Sequence, residues 1–197
     1  MRRIIIGLSG ASGAIYGIRA LEALKGVPDV ETHLVLSPSA KRTIIEETDW
    51  TVQAVEALAD IVHTHGDIGA AVASGSFITA GMIVAPCSIK TLSEIATSHN
   101  DNLLTRAADV CLKERRRLVL LVRETPLHLG HVELMAQVSR YGAILLPPVP
   151  AFYNRPKTLD DIINHTVGKA LDQFGVEHKL LKRWKEPAAV DETWRAS

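Results

Sequence analysis

The sequence lacks the features that mark several special classes of protein. Its 197 residues include only two cysteines, Cys87 and Cys111, whose spacing fits neither a disulfide framework nor a zinc site. The 22 basic and 22 acidic residues balance, so we expect no surface for nucleic acid or membrane. No apolar run approaches the length of a membrane span or a signal-peptide core. We therefore expect a cytoplasmic protein that requires no metal.

Apolar residues make up 47% of the chain and fall in short runs rich in Ile and Val. Continuous apolar runs are typical of strands buried on both faces of a parallel sheet, and helical patterns between them predict a doubly wound α/β fold. The predicted strands cover 3–8, 30–37, 80–85, 117–124 and 142–148. The predicted helices cover 12–25, 39–47, 51–60, 88–98, 101–115, 130–140 and 158–174. We expect one domain over 1–177 and a C-terminal arm over 178–197, where no period is clear.

The segment GLSGASG at 7–13 stands between the first predicted strand and the first predicted helix. Its glycine spacing is not that of the dinucleotide fingerprint, and it lacks the Lys-Ser/Thr pair of a Walker loop. What remains is a set of backbone N–H groups at a helix N-terminus, with the hydroxyls of Ser9 and Ser12. Such a set suits a phosphate that is bound but not transferred. The alternative is a tight turn in which Ser12 is the helix N-cap.

Polar residues also follow the other predicted strands, where ligands bind in folds of this kind. The second strand is followed by Ser37, and the third by the segment PCSIKT at 86–91. Lys90 falls in the first turn of the next helix, where a cation opposes the helix dipole. This broken rule indicates a bound ligand, and a surface lysine is the alternative.

Two further groups of charged residues are candidates for a site. Arg123 and Glu124 end the fourth predicted strand, as a simple ion pair or as a charge clamp with a proton acceptor. Arg106 and Lys113 are seven residues apart on one helix and project from nearly the same face. They could clamp a phosphate or form a solvated basic face.

Six stretches together resemble the UbiX-type flavin prenyltransferases, which belong to the wider flavodoxin-like family of flavoprotein decarboxylases. The stretches are GLSGASGAIYG, VLSPSAKRTI, ASGSF, MIVAPCSIKTLSEIA, DNLLTRAADVCLKERRRLVLLVRETPLH and LLPPVPAFYNRPKTLDDIINHTVGKALDQFG. The resemblance extends to about Glu177 and is most similar to the paralogues that serve as the second subunit of bacterial phenolic acid decarboxylases. It implies a flavodoxin-like, Rossmann-type parallel sheet.

The resemblance also implies an activity and partners. Members of the family join a dimethylallyl group from dimethylallyl monophosphate to N5 and C6 of reduced FMN, without a metal. The prenylated FMN passes to a UbiD-type decarboxylase of aromatic acids such as hydroxybenzoate or vanillate. The family assembles as a homododecamer whose sites lie between subunits.

Site residues follow from the same resemblance. The implied flavin-binding positions are Gly10, Ala11, Ser12, Ser37, Ser88, Ile89, Lys90, Thr91 and Arg123. The implied substrate-binding positions are Tyr153, Lys169, Arg106, Lys113 and Arg123. The implied catalytic group is Glu124, Ser12, Lys113 and Arg106. On this hypothesis the first loop anchors the FMN phosphate, and the separate cations stabilise the phosphate that leaves the donor.

Two details of the hypothesis concern the reacting groups. Glu124 or the released phosphate would accept the proton lost from the flavin C6. Phe77 and Trp184 would provide an aromatic wall for the cationic allyl fragment.

Three alternative functions are weighed against prenyl transfer. An enzyme of this fold that decarboxylates a cysteinyl substrate would carry a histidine after the first loop and a PASANT-like segment. This chain has AIYG at 14–17 and PCSIKT at 86–91 instead. The chain could itself be an FMN-dependent decarboxylase of an aromatic acid, although no residue set for that reaction is found. It could also be a non-catalytic, flavin-carrying subunit of a decarboxylase.

Overall fold

A computed structural model describes residues 1–181 and 183, and its centre is a parallel sheet of six strands. The strands are β1 (Arg2–Leu8), β2 (Val30–Leu36), β3 (Ile61–His63), β4 (Gly81–Cys87), β5 (Arg117–Val122) and β6 (Ile144–Leu145). Their order across the sheet is β3-β2-β1-β4-β5-β6. The five strands that match predictions have the flavodoxin order by themselves, and β3 extends it to the Rossmann order. The predicted fold class is confirmed.

Strand β3 has no counterpart among the predicted strands. It is three residues long, lies at the sheet edge beside β2, and leaves Ile61 and Val62 40% and 44% exposed. A short, half-exposed edge strand has no continuous apolar run that would reveal it. Strand β6 is shorter than predicted because Pro147 and Pro148 follow it, and proline has no N–H for the ladder.

The described part of the chain contains seven α-helices, each overlapping a predicted one. They are α1 (Ala14–Leu24), α2 (Pro38–Glu47), α3 (Val52–Glu56), α4 (Ile89–Ala96), α5 (Leu103–Lys113), α6 (Leu129–Arg140) and α7 (Leu159–Asp172). Among these residues, no helix combines the length and apolar character that crossing a membrane requires. Apart from 178–181 and 183, the predicted C-terminal arm lies outside the described residues.

Helices cover both faces of the sheet, as the continuous apolar runs predicted. Alternate residues of β1 point to opposite faces, so Ile4 and Ile6 join one core and Ile5 joins the other. The first core lies under α1, α2, α3 and α7, and the second under α4, α5 and α6. This division decides which candidate site residues can meet within one chain.

Candidate functional site

The loops after β1, β2 and β4 meet at the carboxyl edge of the sheet. Strand β1 lies between β2 and β4, at the switch point where ligands bind in doubly wound folds. A cleft of about 430 Å³ opens there. Five of the predicted flavin positions line it: Gly10, Ser37, Ser88, Lys90 and Thr91.

Helices α2 and α4 both begin at this cleft. The Ser37 hydroxyl accepts a hydrogen bond from Ala40 N (3.0 Å) at the start of α2. The Ser88 hydroxyl accepts one from Thr91 N (3.2 Å) at the start of α4. Since the N-terminal end of a helix carries partial positive charge, the two helices together favour an anion in the cleft.

The first loop adds free donors to the same cleft. Within the described residues, the backbone N–H groups of Gly10, Ala11 and Ser12 donate to no protein acceptor. Gly10 packs so closely on Ser39 that an added Cβ would overlap the Ser39 Cβ atom. A cradle that excludes a side chain and presents unused N–H groups fits a phosphate.

Helix α1 is capped by a residue that sequence analysis missed. The helix begins after Gly13 (φ 103°) without a side-chain cap from that position. Instead, Glu47 Oε2 accepts hydrogen bonds from Gly13 N (2.7 Å) and Ala14 N (3.3 Å). The alternative in which Ser12 is the N-cap is therefore wrong. Glu47 ends α2, and no sequence spacing connects it to the first loop.

Ser9 also differs from expectation. Its side chain is buried, donates to the Pro86 carbonyl oxygen (2.8 Å) and accepts from Ser88 N (2.8 Å). Its hydroxyl therefore bridges two loops of the protein, and the prediction that it faces a phosphate is wrong.

Arg123 and Glu124 follow β5 near the same edge. Burial raises the pKa of the Tyr16 hydroxyl, and the nearby positive charge of Arg123 lowers it. This interaction puts Arg123 near the first turn of α1. Glu124 is exposed, and its Oε1 accepts a hydrogen bond from Thr125 N (3.0 Å). Lys90 is also exposed, and it forms an ion pair with Glu94.

Tyr153 and Lys169 both lie beside His165, which sequence analysis missed. The Tyr153 ring meets the His165 ring edge-on, with centroids 5.9 Å apart. Burial lowers the pKa of His165, and the charge of Lys169 lowers it further. Lys169 Nζ lies 4.0 Å from Asp172 Oδ2. His165 lines a cavity of about 450 Å³ between the 151–157 segment and α7.

Arg106 and Lys113 lie together on α5, as their spacing predicted, but on another surface. Arg106 donates to the Ala73 carbonyl oxygen (3.2 Å) and pairs with Asp109 (2.9 Å). Lys113 pairs with Glu114 beside the 71–77 segment. Because α5 and α7 cover opposite faces of the sheet, one chain does not bring these cations to Tyr153 and Lys169.

The predicted aromatic wall is not found in one chain. Phe77 packs against His33, with ring centroids 5.3 Å apart, and the Arg3 guanidinium lies 4.6 Å from its ring centroid. It does not line the cleft between the loops, so its assignment to that site is wrong for a single chain. Trp184 lies outside the described residues. Tyr16 is the aromatic residue beside the first loop, where its ring packs near Gly13.

The two cysteines are buried and unreactive. Burial raises the pKa of the Cys111 thiol to about 12 and that of Cys87 further still. Because the thiolate is the nucleophile, neither is active near neutral pH. Across residues 1–181 and 183, no group of three or more His, Cys, Asp or Glu side chains is arranged to hold a metal ion.

A parallel doubly wound sheet with an anion cradle at its switch point defines a nucleotide-binding α/β protein. The family profile described as Flavoprotein matches residues 1–170. The chain is 65% identical over 182 residues to flavin prenyltransferase UbiX of Thauera aromatica, covering 92% of this chain and 93% of that protein.

Two solved structures are also similar. The crystal structure of AnUbiX (PadA1) with FMN and dimethylallyl pyrophosphate has a TM-score of 0.91, with 50% identity, 94% of this chain covered and 98% of the other. The dodecameric FMN-dependent Ubix-like decarboxylase of Escherichia coli O157:H7 also has a TM-score of 0.91, with 52% identity, 93% of this chain covered and 100% of the other. The chain belongs to the Flavoprotein family and, within it, to the UbiX flavin prenyltransferases, which confirms the resemblance.

Proposed function

We infer that this chain is a flavin prenyltransferase that joins a dimethylallyl group to reduced FMN. The observation that carries this inference is the cleft at the switch point, where unused N–H groups of the first loop and two helix N-termini favour an anion. Close relatives bear the name flavin prenyltransferase, and a solved neighbour holds FMN with a dimethylallyl donor.

The chain's own residues would hold the flavin phosphate without reacting with it. Gly10, Ala11 and Ser12 offer backbone N–H groups, which bind an anion and provide no group to which a phosphoryl could be transferred. The other proposed flavin positions surround them: Ser37, Ser88, Ile89, Lys90, Thr91 and Arg123. Bound reduced FMN supplies the nucleophilic N5 and C6 atoms of the reaction.

Separate cations would hold the phosphate of the donor, which we propose to be dimethylallyl monophosphate. The proposed group is Tyr153, Lys169, Arg106, Lys113 and Arg123. Cleavage of the allyl–oxygen bond develops negative charge on the leaving phosphate, and preorganised cations stabilise that charge. The exposed Glu124 carboxylate is free to accept the proton that C6 loses. The cavity beside His165 supports a donor pocket near Tyr153 and Lys169.

The division of these cations between two faces of the sheet supports a site that a neighbouring subunit completes. Arg106 and Lys113 of one chain would face Tyr153 and Lys169 of another in a homo-oligomer, proposed to be a dodecamer. The product would pass to a UbiD-type decarboxylase of an aromatic acid, and we propose that both proteins act in the cytoplasm.

The test is an anaerobic reaction with reduced FMN and dimethylallyl monophosphate, followed by mass spectrometry of the released flavin. We expect a mass gain equal to one prenyl group. Unmodified FMN, with tight FMN binding confirmed, would contradict prenyl transfer. A parallel reaction replaces the donor with its diphosphate and identifies which phosphate ester this chain accepts.

One solved neighbour is named a decarboxylase, which makes decarboxylation the second candidate. A reaction of the chain alone with vanillate or hydroxybenzoate, followed by measurement of released carbon dioxide, tests it. We expect none, because the described residues contain no further charged cluster at the cleft that would bind such an acid.

A further inference from the structure

We propose that Ser9 is a positioning residue that sets the separation of the two loops that hold the flavin. The proposal rests on the proposed FMN site and concerns a residue outside that site's ligand contacts. It begins from a gap in the sheet. The ladder between β1 and β4 ends at Gly7 and Val84, and the β4–β5 register shifts between Val84 and Cys87. The regular ladder therefore does not hold Gly10 against Ser88.

Ser9 bridges this gap with three hydrogen bonds. Its backbone N–H donates to the Pro86 carbonyl oxygen (3.2 Å), and its hydroxyl donates to the same oxygen (2.8 Å). The hydroxyl also accepts from Ser88 N (2.8 Å). A serine hydroxyl has one donor hydrogen and two acceptor positions, so the protein uses the donor and one acceptor. The side chain is 1% exposed, so water does not compete for these bonds.

The bridge joins the two halves of the flavin cleft. Gly10 follows Ser9 directly and lines the cleft, and Ser88 lines it from the start of α4. The Ser9 bonds thus fix the spacing of the anion cradle relative to α4 before any ligand arrives. A site held in its binding geometry gives up less conformational freedom on binding, and this strengthens affinity.

Thr32 provides a matched control elsewhere in the molecule. It is also 1% exposed, and its hydroxyl donates to Asp60 Oδ2 (2.8 Å) and accepts from Asp60 N (3.0 Å). It therefore bridges two segments as Ser9 does. It pairs with Ile4 in the first half of β2, away from the carboxyl edge where the cleft lies.

The experiment compares Ser9→Ala, Ser9→Thr and Thr32→Val in the full chain. We expect Ser9→Ala to weaken FMN binding about tenfold, the effect of losing roughly one hydrogen bond of positioning. Ser9→Thr keeps the hydroxyl and should stay within about threefold of the unmodified chain. Thr32→Val should lower the melting temperature without changing FMN affinity. At saturating FMN, the KM for the donor should stay unchanged in all three variants.

Hydrogen exchange of the Ser88 amide tests the bridge without any flavin. It should accelerate in Ser9→Ala and remain slow in Thr32→Val. Unchanged exchange and unchanged FMN affinity in Ser9→Ala would overturn the proposal, as would equal loosening of FMN by Thr32→Val. FMN affinity is measured without the donor, so a chain that binds FMN but fails to prenylate it contradicts prenyl transfer alone. A chain with no FMN affinity contradicts both inferences.

Discussion

The flavin cleft and the donor cations are built in different ways. The cleft uses backbone N–H groups and helix N-termini from three loops that the sheet topology brings together in one chain. The cations are side chains on opposite faces of the sheet, α5 on one and α7 on the other. A ligand held by backbone can be preorganised by the fold of one chain. A leaving group that needs several long cations requires a second surface.

The cations also differ from the cleft in their present partners. Lys169 lies 4.0 Å from Asp172, and Arg106 pairs with Asp109. Lys113 pairs with Glu114. Exposed ion pairs of this kind contribute about 0–1 kcal/mol, so an incoming phosphate can displace the carboxylates. The N–H groups of the first loop need no such exchange.

The largest expected effect separates chemistry from binding. Glu124→Gln removes the proposed proton acceptor while keeping the size of the side chain. We expect prenylation to slow about 100-fold, in the range for loss of a general base. FMN affinity should not change, because Glu124 does not line the cleft. Single-turnover kinetics and an FMN titration measure the two quantities.

Glu133→Gln on α6 is the matched control for this variant, because Glu133 is also exposed and lies outside the proposed site. An unchanged rate in Glu124→Gln would remove Glu124 from the mechanism.

A charge in the first loop should act on flavin binding alone. In Ser12→Asp the new carboxylate would occupy the N–H groups that the phosphate needs. We expect FMN affinity to fall about 30-fold, the upper range for a charge at a helix N-terminus. Ser12→Asn has the same size without the charge and should bind nearly normally. Full flavin retention by Ser12→Asp would mean that the loop is only a turn.

A change on α7 should act on the donor alone. Lys169→Ala should raise the KM for the dimethylallyl donor about fivefold, since Lys169 is half-exposed and its charge is partly screened. FMN affinity should be unchanged, and Lys25→Ala, on a lysine remote from both regions, should alter neither quantity. A shift in FMN affinity with Lys169→Ala would contradict the division between the two regions.

The smallest expected effect is a shift in titration. The pKa of His165 lies below its ordinary value because burial and Lys169 disfavour the charged ring. The unfolded chain therefore binds the proton more readily, so this group destabilises the fold as pH falls through the ordinary histidine range. In Lys169→Ala the pKa of His165 should rise, and nuclear magnetic resonance of the ring measures it. An unchanged pKa would mean that Lys169 does not face His165.

The contrast between the regions also explains what the sequence could predict. The buried strands and the loops after β1, β2 and β4 follow from continuous apolar runs and local turn residues, which are local signals. The bridge of Ser9 and the cap from Glu47 join segments distant in sequence, so no spacing reveals them. The position of Phe77 against Arg3 and the separation of α5 from α7 depend on which face each element covers. That information exists only in the assembled sheet.

The central claim is that two chains complete one donor site, and mixed oligomers test it most directly. One variant carries Arg106→Ala with Lys113→Ala, and the other carries Tyr153→Phe with Lys169→Ala. Each should prenylate poorly when expressed alone. Coexpression should restore activity to about a quarter of that of the unmodified chain, the share of sites with both halves intact in a randomly mixed closed oligomer. Mixed oligomers no more active than the variants themselves would contradict a shared site.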